Sequence, residues 1–186
     1  MEGAEPGLPP WARVSPKRLD HIRRVAELVS GWSMAMAVPA PERARWLRAV
    51  WLHDALRDAP EEELARWAPG IPGPVELLHG PAGAARAEAE GEADAGVLDA
   101  VRYHSLGFAG WDMAGQVLYC ADYLEPGRSF DRAARAGLAR EFPADPDGVL
   151  RDVARARISH LILSGWTLPE PTFRFWNRLA VSSSPR

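Results

Sequence analysis

The fold class the sequence predicts is all-α in a single domain, on three observations. Apolar residues recur at three- and four-residue spacing along most of the chain. No run alternates with period two for long enough to make a sheet. The length of 186 residues suffices for one packed core and is short for two.

The elements follow in order. Residues 1–14, acidic and proline-rich, are expected as a flexible lead-in. Ser15-Pro16 starts a helix, with a hydroxyl at the N-cap and proline at the first helical position. Leu19, Ile22, Ala26 and Val29 form its buried stripe, and residues 33–40 end it. A second helix begins near Pro41-Glu42 and runs through Leu47, Val50 and Trp51 into His53-Asp54. A short helix is expected over 60–68, a loop over PGIPGP at 69–74, and a helix over 81–90 entered through His79-Gly80. Further helices are expected at about 94–104, 112–124, 130–142, 147–164 and 171–180. The domain thus spans 15–180, and 181–186 is expected as a flexible tail.

Composition narrows the partners. A net charge of −3 gives no general attraction to nucleic acid or to an anionic membrane. Cys120 is the single cysteine, so an internal disulfide is impossible. No leader-like opening and no apolar run of about 18 residues is present. A cytoplasmic protein is expected, with a small-molecule partner. Nothing in the pattern specifies an oligomeric state.

The chemistry lies in the histidines and two aspartates. His21 shares a helical face with Val25 and Leu28, His53 with Trp46, Ala49 and Val50, and His104 with Val97 and Val101. Asp54 follows His53 directly, and Asp122 follows Leu118 by one turn. An inward polar group needs a partner. One inward histidine alone reads as a hydrogen-bonded core residue. Inward imidazoles together with inward carboxylates ask for a divalent metal such as Fe, Mn or Zn.

The order His21 … His53-Asp54 … Asp122 resembles that of the HD superfamily of metal-dependent phosphohydrolases, and His79 and His104 mark its dinuclear subset. The words SPKRLDHIRRVAEL, WLHDALRD, HGPAGA, AVRYHSLG and VLYCADYLEPGR, with the ending PEPTFRFWN, look like the bacterial HD-domain symmetrical diadenosine tetraphosphatases. The resemblance covers about residues 15–178. It implies an HD-domain helical bundle that binds two divalent ions, iron favoured and manganese possible. His21, His53, Asp54 and Asp122 would hold one ion, and His79 and His104 the other, with Asp54 bridging. Symmetric cleavage of diadenosine tetraphosphate to two ADP by a bridging, acidified water is the implied reaction. The family commonly has lysine three residues after the His-Asp pair, where this chain has Arg57. Arginine keeps the charge in a planar fork.

Arg57 and Arg128 are candidates to contact phosphate beside Asp54, against the plainer readings of a solvated face and a helix cap. Lys17 and Arg18, one turn before His21, and Gly80, at a helix entrance, are further substrate-contact candidates. His160 stands outside the HD order and Cys120 points away from Asp122. Trp111 reads as core or as a platform for a base. The alternatives are another HD phosphohydrolase, acting on mononucleotides or phosphodiesters, and a non-catalytic nucleotide-binding module of the same fold.

Overall fold

Ser15 opens the first helix as its chemistry dictates: its hydroxyl accepts the Arg18 N–H at 3.3 Å, with Pro16 next in line. The computed structural model describes residues 7–181, and among them the chain forms nine α-helices and no strand. These are α1 (Pro16–Ala35), α2 (Ala40–His53), α3 (Glu61–Trp67), α4 (His79–Ala89), α5 (Ala95–Tyr103), α6 (Met113–Leu124), α7 (Arg132–Glu141), α8 (Pro146–Leu163) and α9 (Glu170–Val181). A 3-10 turn, Val75–Leu77, precedes α4. Among the described residues no helix is long and apolar enough to cross a membrane.

The bundle is built around α6. Its turns bury Ala114, Val117, Leu118, Tyr119, Cys120, Ala121 and Leu124, and a helix apolar on nearly all sides belongs in the interior. It packs against α1, α2, α5, α7 and α8. Ile22, Val25 and Val29 of α1, Trp46 and Val50 of α2, and Val149, Leu150 and Val153 of α8 close over it. Each such side chain contributes about 1.5–3 kcal/mol by leaving water. Trp32 stacks on Phe142 with ring centroids 3.9 Å apart and donates its indole N–H to the Ala139 carbonyl at 2.8 Å, fixing the end of α7 against α1. Asp94, Asp112 and Asp145 cap α5, α6 and α8 through their carboxylates.

Three expectations need correction. Residues 7–14 are packed rather than loose. The Arg13 N–H donates to the Ala55 carbonyl at 2.6 Å, Asp58 N–H donates to the Arg13 carbonyl at 3.1 Å, and Trp11 packs on two small apolar clusters. The segment thus half-buries an indole and satisfies backbone groups at once, which outweighs its loop-like composition. Residues 1–6 and 182–186 lie outside the described residues, and Val181, expected in the tail, closes α9. Last, α4 begins at His79, so Gly80 sits inside a helix and not in a loop. Gly80 is buried, and a Cβ there would lie 2.9 Å from the Arg102 carbonyl oxygen and 3.0 Å from that of Val101. Its missing side chain lets α4 lie directly on the backbone of α5.

Candidate metal centre

Three helix ends and two helix interiors deliver the site. His21 comes from the second turn of α1, and His53 is the last residue of α2. Asp54, with φ −111° and ψ 14°, has left the helix, so the adjacent pair aims both side chains at the same place. His79 is the first residue of α4, His104 caps the end of α5, and Asp122 lies within α6. All six are buried.

Their atoms form two groups. His21, His53 and Asp122 bring ligand atoms within 4.8 Å of one another, and so do Asp54, His79 and His104. Asp54 connects them. Its Oδ2 lies 3.6 Å from His21 Nε2 and 3.5 Å from His53 Nε2, and its Oδ1 lies 3.2 Å from His79 Nε2 and 3.6 Å from His104 Nε2. One carboxylate thus presents one oxygen to each group. His21 Nε2 also lies 3.2 Å from Asp122 Oδ1.

The outer nitrogens fix the tautomers. Nδ1 of His53 donates to the Val50 carbonyl at 2.6 Å, that of His79 to the Glu76 carbonyl at 2.7 Å, and that of His104 to the Val101 carbonyl at 2.7 Å. Nδ1 of His21 faces Glu125 Oε1 at 3.2 Å. A carbonyl oxygen can only accept, so in the first three rings Nδ1 carries a proton, and the neutral form of each ring turns a bare Nε2 lone pair inward. This is how outer partners orient histidines for metals. Nε2 of His21 and of His53 is buried with no hydrogen-bond partner, an unmet demand that a cation would satisfy.

Electrostatics agree. Burial pushes His53 down to about 4 and lowers His79, so both are neutral ligands near pH 7. Asp54 and Asp122 stay well below the usual carboxylate range. Burial opposes their charge, but His53, His104 and His79 around Asp54, and Arg128 and His21 beside Asp122, outweigh it. His21 is raised to about 9: burial opposes its charge, while the neighbouring carboxylates of Asp122 and Glu125 more than offset that. Such a nest of carboxylates favours any cation, proton or metal. The donor set of imidazole nitrogens and carboxylates suits Fe, Mn or Zn.

The remaining candidates separate. Arg128 donates through Nε to the Asp122 carbonyl at 2.9 Å and through Nη2 to Asp122 Oδ1 at 2.5 Å. Arg18 donates to Asp54 Oδ2 at 2.7 Å. Arg57 donates at 2.9 Å to the same Glu76 carbonyl that orients His79. Lys17 is exposed on the first turn of α1. Gly80 has the packing role already described, buried between His79 and α5. Trp111 belongs to the core, between Tyr119 and Phe175, with its N–H on the Asp99 carbonyl at 3.0 Å.

Two residues were missed. Glu125, 2% exposed, accepts from Arg24 Nε and Gly127 N–H, each at 2.6 Å, as well as facing His21. Its signal was the three-residue spacing from Asp122, which puts both on one helical face. Arg157 lies 3.5 Å from Asp122 Oδ2 and 3.3 Å from the Ser105 carbonyl. Its signal was a charge on the stripe of Leu150, Val153 and Ala154.

The fold and site define an all-helical scaffold carrying a paired His/Asp centre. Residues 18–133 match the family model described as HD domain, more than half of the chain, and the chain belongs to the HD domain family. It is similar to the symmetrical bis(5'-nucleosyl)-tetraphosphatase of Bacillus subtilis (strain 168), 31% identical over 118 residues that cover 59% of this chain and 63% of that one. It is also similar to the symmetrical bis(5'-nucleosyl)-tetraphosphatase of Halalkalibacterium halodurans, 41% identical over 107 residues, 57% of this chain and 56% of that one. The chain therefore spans about six-tenths of the length of these curated relatives. Among solved structures it is similar to a predicted HD superfamily hydrolase involved in NAD metabolism from Clostridium acetobutylicum, with a TM-score of 0.78 and 24% identity over 91% of this chain and 92% of that one. That likeness carries the fold.

Proposed function

We propose that the protein is a metal-dependent phosphohydrolase that splits dinucleoside tetraphosphates symmetrically, turning diadenosine tetraphosphate into two ADP. The observation that carries the reading is Asp54, one of whose oxygens faces His21 and His53 while the other faces His79 and His104. The two tetraphosphatase relatives supply the substrate class.

His21, His53, Asp54 and Asp122 would hold one divalent ion, and His79, His104 and Asp54 the other, with iron preferred and manganese able to replace it. Ions held there would acidify a water and stabilise charge on the phosphoryl group. The chain's own residues do the rest. Val50, Glu76, Val101 and Glu125 hold the four rings in place through Nδ1. Arg128 keeps Asp122 ionised and oriented, and Arg18 orients Asp54 by a hydrogen bond to its Oδ2. Both guanidiniums border the centre and offer charge-assisted bonds to a phosphate chain. Arg57 sits beside His79 and steadies it through the shared carbonyl, in place of the family's lysine.

The test is the product pattern. Diadenosine tetraphosphate incubated with manganese-loaded protein should give ADP alone, and in oxygen-18 water one ADP of each pair should carry the label on its terminal phosphate. AMP plus ATP would reject symmetric attack. Phosphate release from mononucleotides with the dinucleotide untouched would favour a nucleotidase. A loaded protein that turns over nothing would support a binding module.

A further inference from the structure

A cavity of about 790 Å³ opens beside the centre, between α6, the loop after it and α8. Three contacts tie its inner end to the site. Arg128 and Arg157, which line it, both bond to Asp122. Ser105, which also lines it, places Oγ 3.1 Å from His104 Nε2. The body of the cavity is apolar and aromatic, formed by Tyr119, Tyr123, Phe130, Ile158 and Leu161. Two guanidiniums and flat aromatic surface thus line the same cavity side by side, with Asp131 also in its wall. A ligand that matches has an anionic tail and a planar head, and the volume is in the usual range for small-molecule sites.

The two arginines differ in how firmly they are held. Arg128 makes bonds of 2.9 and 2.5 Å, whereas those of Arg157 are 3.5 and 3.3 Å, at the limit of hydrogen bonding. Arg157 also lies over the Tyr119 ring, 4.5 Å from its centroid, which keeps its charge at the cavity wall. It can turn to an arriving phosphate with little lost. At the rim, Phe130 is 43% exposed and meets Tyr123 edge to face with centroids 5.6 Å apart. Behind it Arg135 is buried and donates to the carbonyls of Tyr123, Glu125, Arg128 and Phe130, so the loop that carries Phe130 is held rigid. A large aromatic face left open on a fixed loop suits a base.

We propose that this cavity seats one nucleoside of the substrate, its base against Phe130 and Tyr123 and its adjoining phosphate taken by Arg157. The assignment rests on the phosphohydrolase reading above. ADP and inorganic pyrophosphate titrated calorimetrically into manganese-loaded protein separate base from phosphate. Phe130→Ala should weaken ADP about tenfold, the loss of one base–aromatic stack, and leave pyrophosphate binding unchanged. Phe130→Trp should restore ADP. Ala156 is exposed and lines the cavity, so Ala156→Trp should fill it and block ADP but not pyrophosphate. Arg157→Gln should weaken both. ADP binding that is unchanged in Phe130→Ala and Ala156→Trp overturns the proposal, as does a parent protein that binds no ADP. The functional reading fails on a different result: ADP bound in this cavity by a protein that leaves diadenosine tetraphosphate intact.

Discussion

The Nε2 atoms of His79 and His104 stand 3.0 Å apart, although each ring has its proton on the far nitrogen. Two lone pairs at that distance repel unless a cation lies between them. The protein loaded with manganese or iron should therefore carry two ions per chain by elemental analysis. His104→Ala should carry one. Asp54→Ala faces both groups and should lower turnover by more than about a hundredfold, since loss of an outer partner alone costs about 10–100-fold. Arg155→Ala, an exposed residue paired with Asp152, serves as the control and should keep full activity. Two ions retained by His104→Ala would show that the second group has been misassigned.

Glu125 acts on the centre through His21 and not on the substrate. Glu125→Gln keeps an acceptor for Nδ1 but removes the charge, so metal affinity should fall about tenfold, and Glu125→Ala should approach a hundredfold. Competition with a chelator measures this. A merely structural role would lower thermal stability in both variants and leave the affinity of the folded protein unchanged.

Two glycines in one helix should respond in opposite ways. Gly80→Ala drives a methyl against two carbonyl oxygens of α5, an overpacking that costs about 1–3 kcal/mol and should lower Tm by about 5 °C. At Gly83 the nearest atoms to a Cβ are 3.5 and 3.6 Å away, an ordinary contact. Gly83→Ala should hold or raise Tm, because alanine favours a helix interior by about 0.5–1 kcal/mol. A scanning calorimetry trace of each decides it.

Cys120 is buried on α6, and burial raises its thiol well above the ordinary value. Folded protein should not react with a disulfide reagent at pH 8. Protein in guanidinium should release one equivalent per chain. A fast native reaction would mean that α6 opens.

Five of the six inward groups are legible in the sequence because each is a polar residue on an otherwise apolar helical stripe, where desolvation leaves little choice but a shared partner; His79, at a helix entrance, is legible only through the family order. Their order carries the rest. Helix starts at Ser15, Asp94 and Asp112 are legible from their caps. Glu125 is hidden because Glu-Pro-Gly looks like a helix end, which it also is. Arg157 is hidden because an arginine in ARARIS resembles its exposed neighbours. Trp11 is hidden in a proline-rich stretch: nothing local says that Arg86 will stand 5.9 Å from its ring centroid and 4.8 Å from that of Trp67. Nothing local to Glu92 and Asp94 says that Arg48 and Arg45 of α2 will bond to them at 3.0 and 2.6 Å. Each of these depends on a partner distant in the chain.

The hydrogen bond from His21 to Glu125 joins residues 104 positions apart. Closing a loop of that length in an unfolded chain costs about 4 kcal/mol in its length-dependent part alone, at (3/2)RT ln n. His21 emerges early in synthesis and waits for its partner until α6 has been made. The centre is therefore completed late, when α1 to α6 are all present, and a nascent chain stopped short of Glu125 has no means of orienting the first histidine it made.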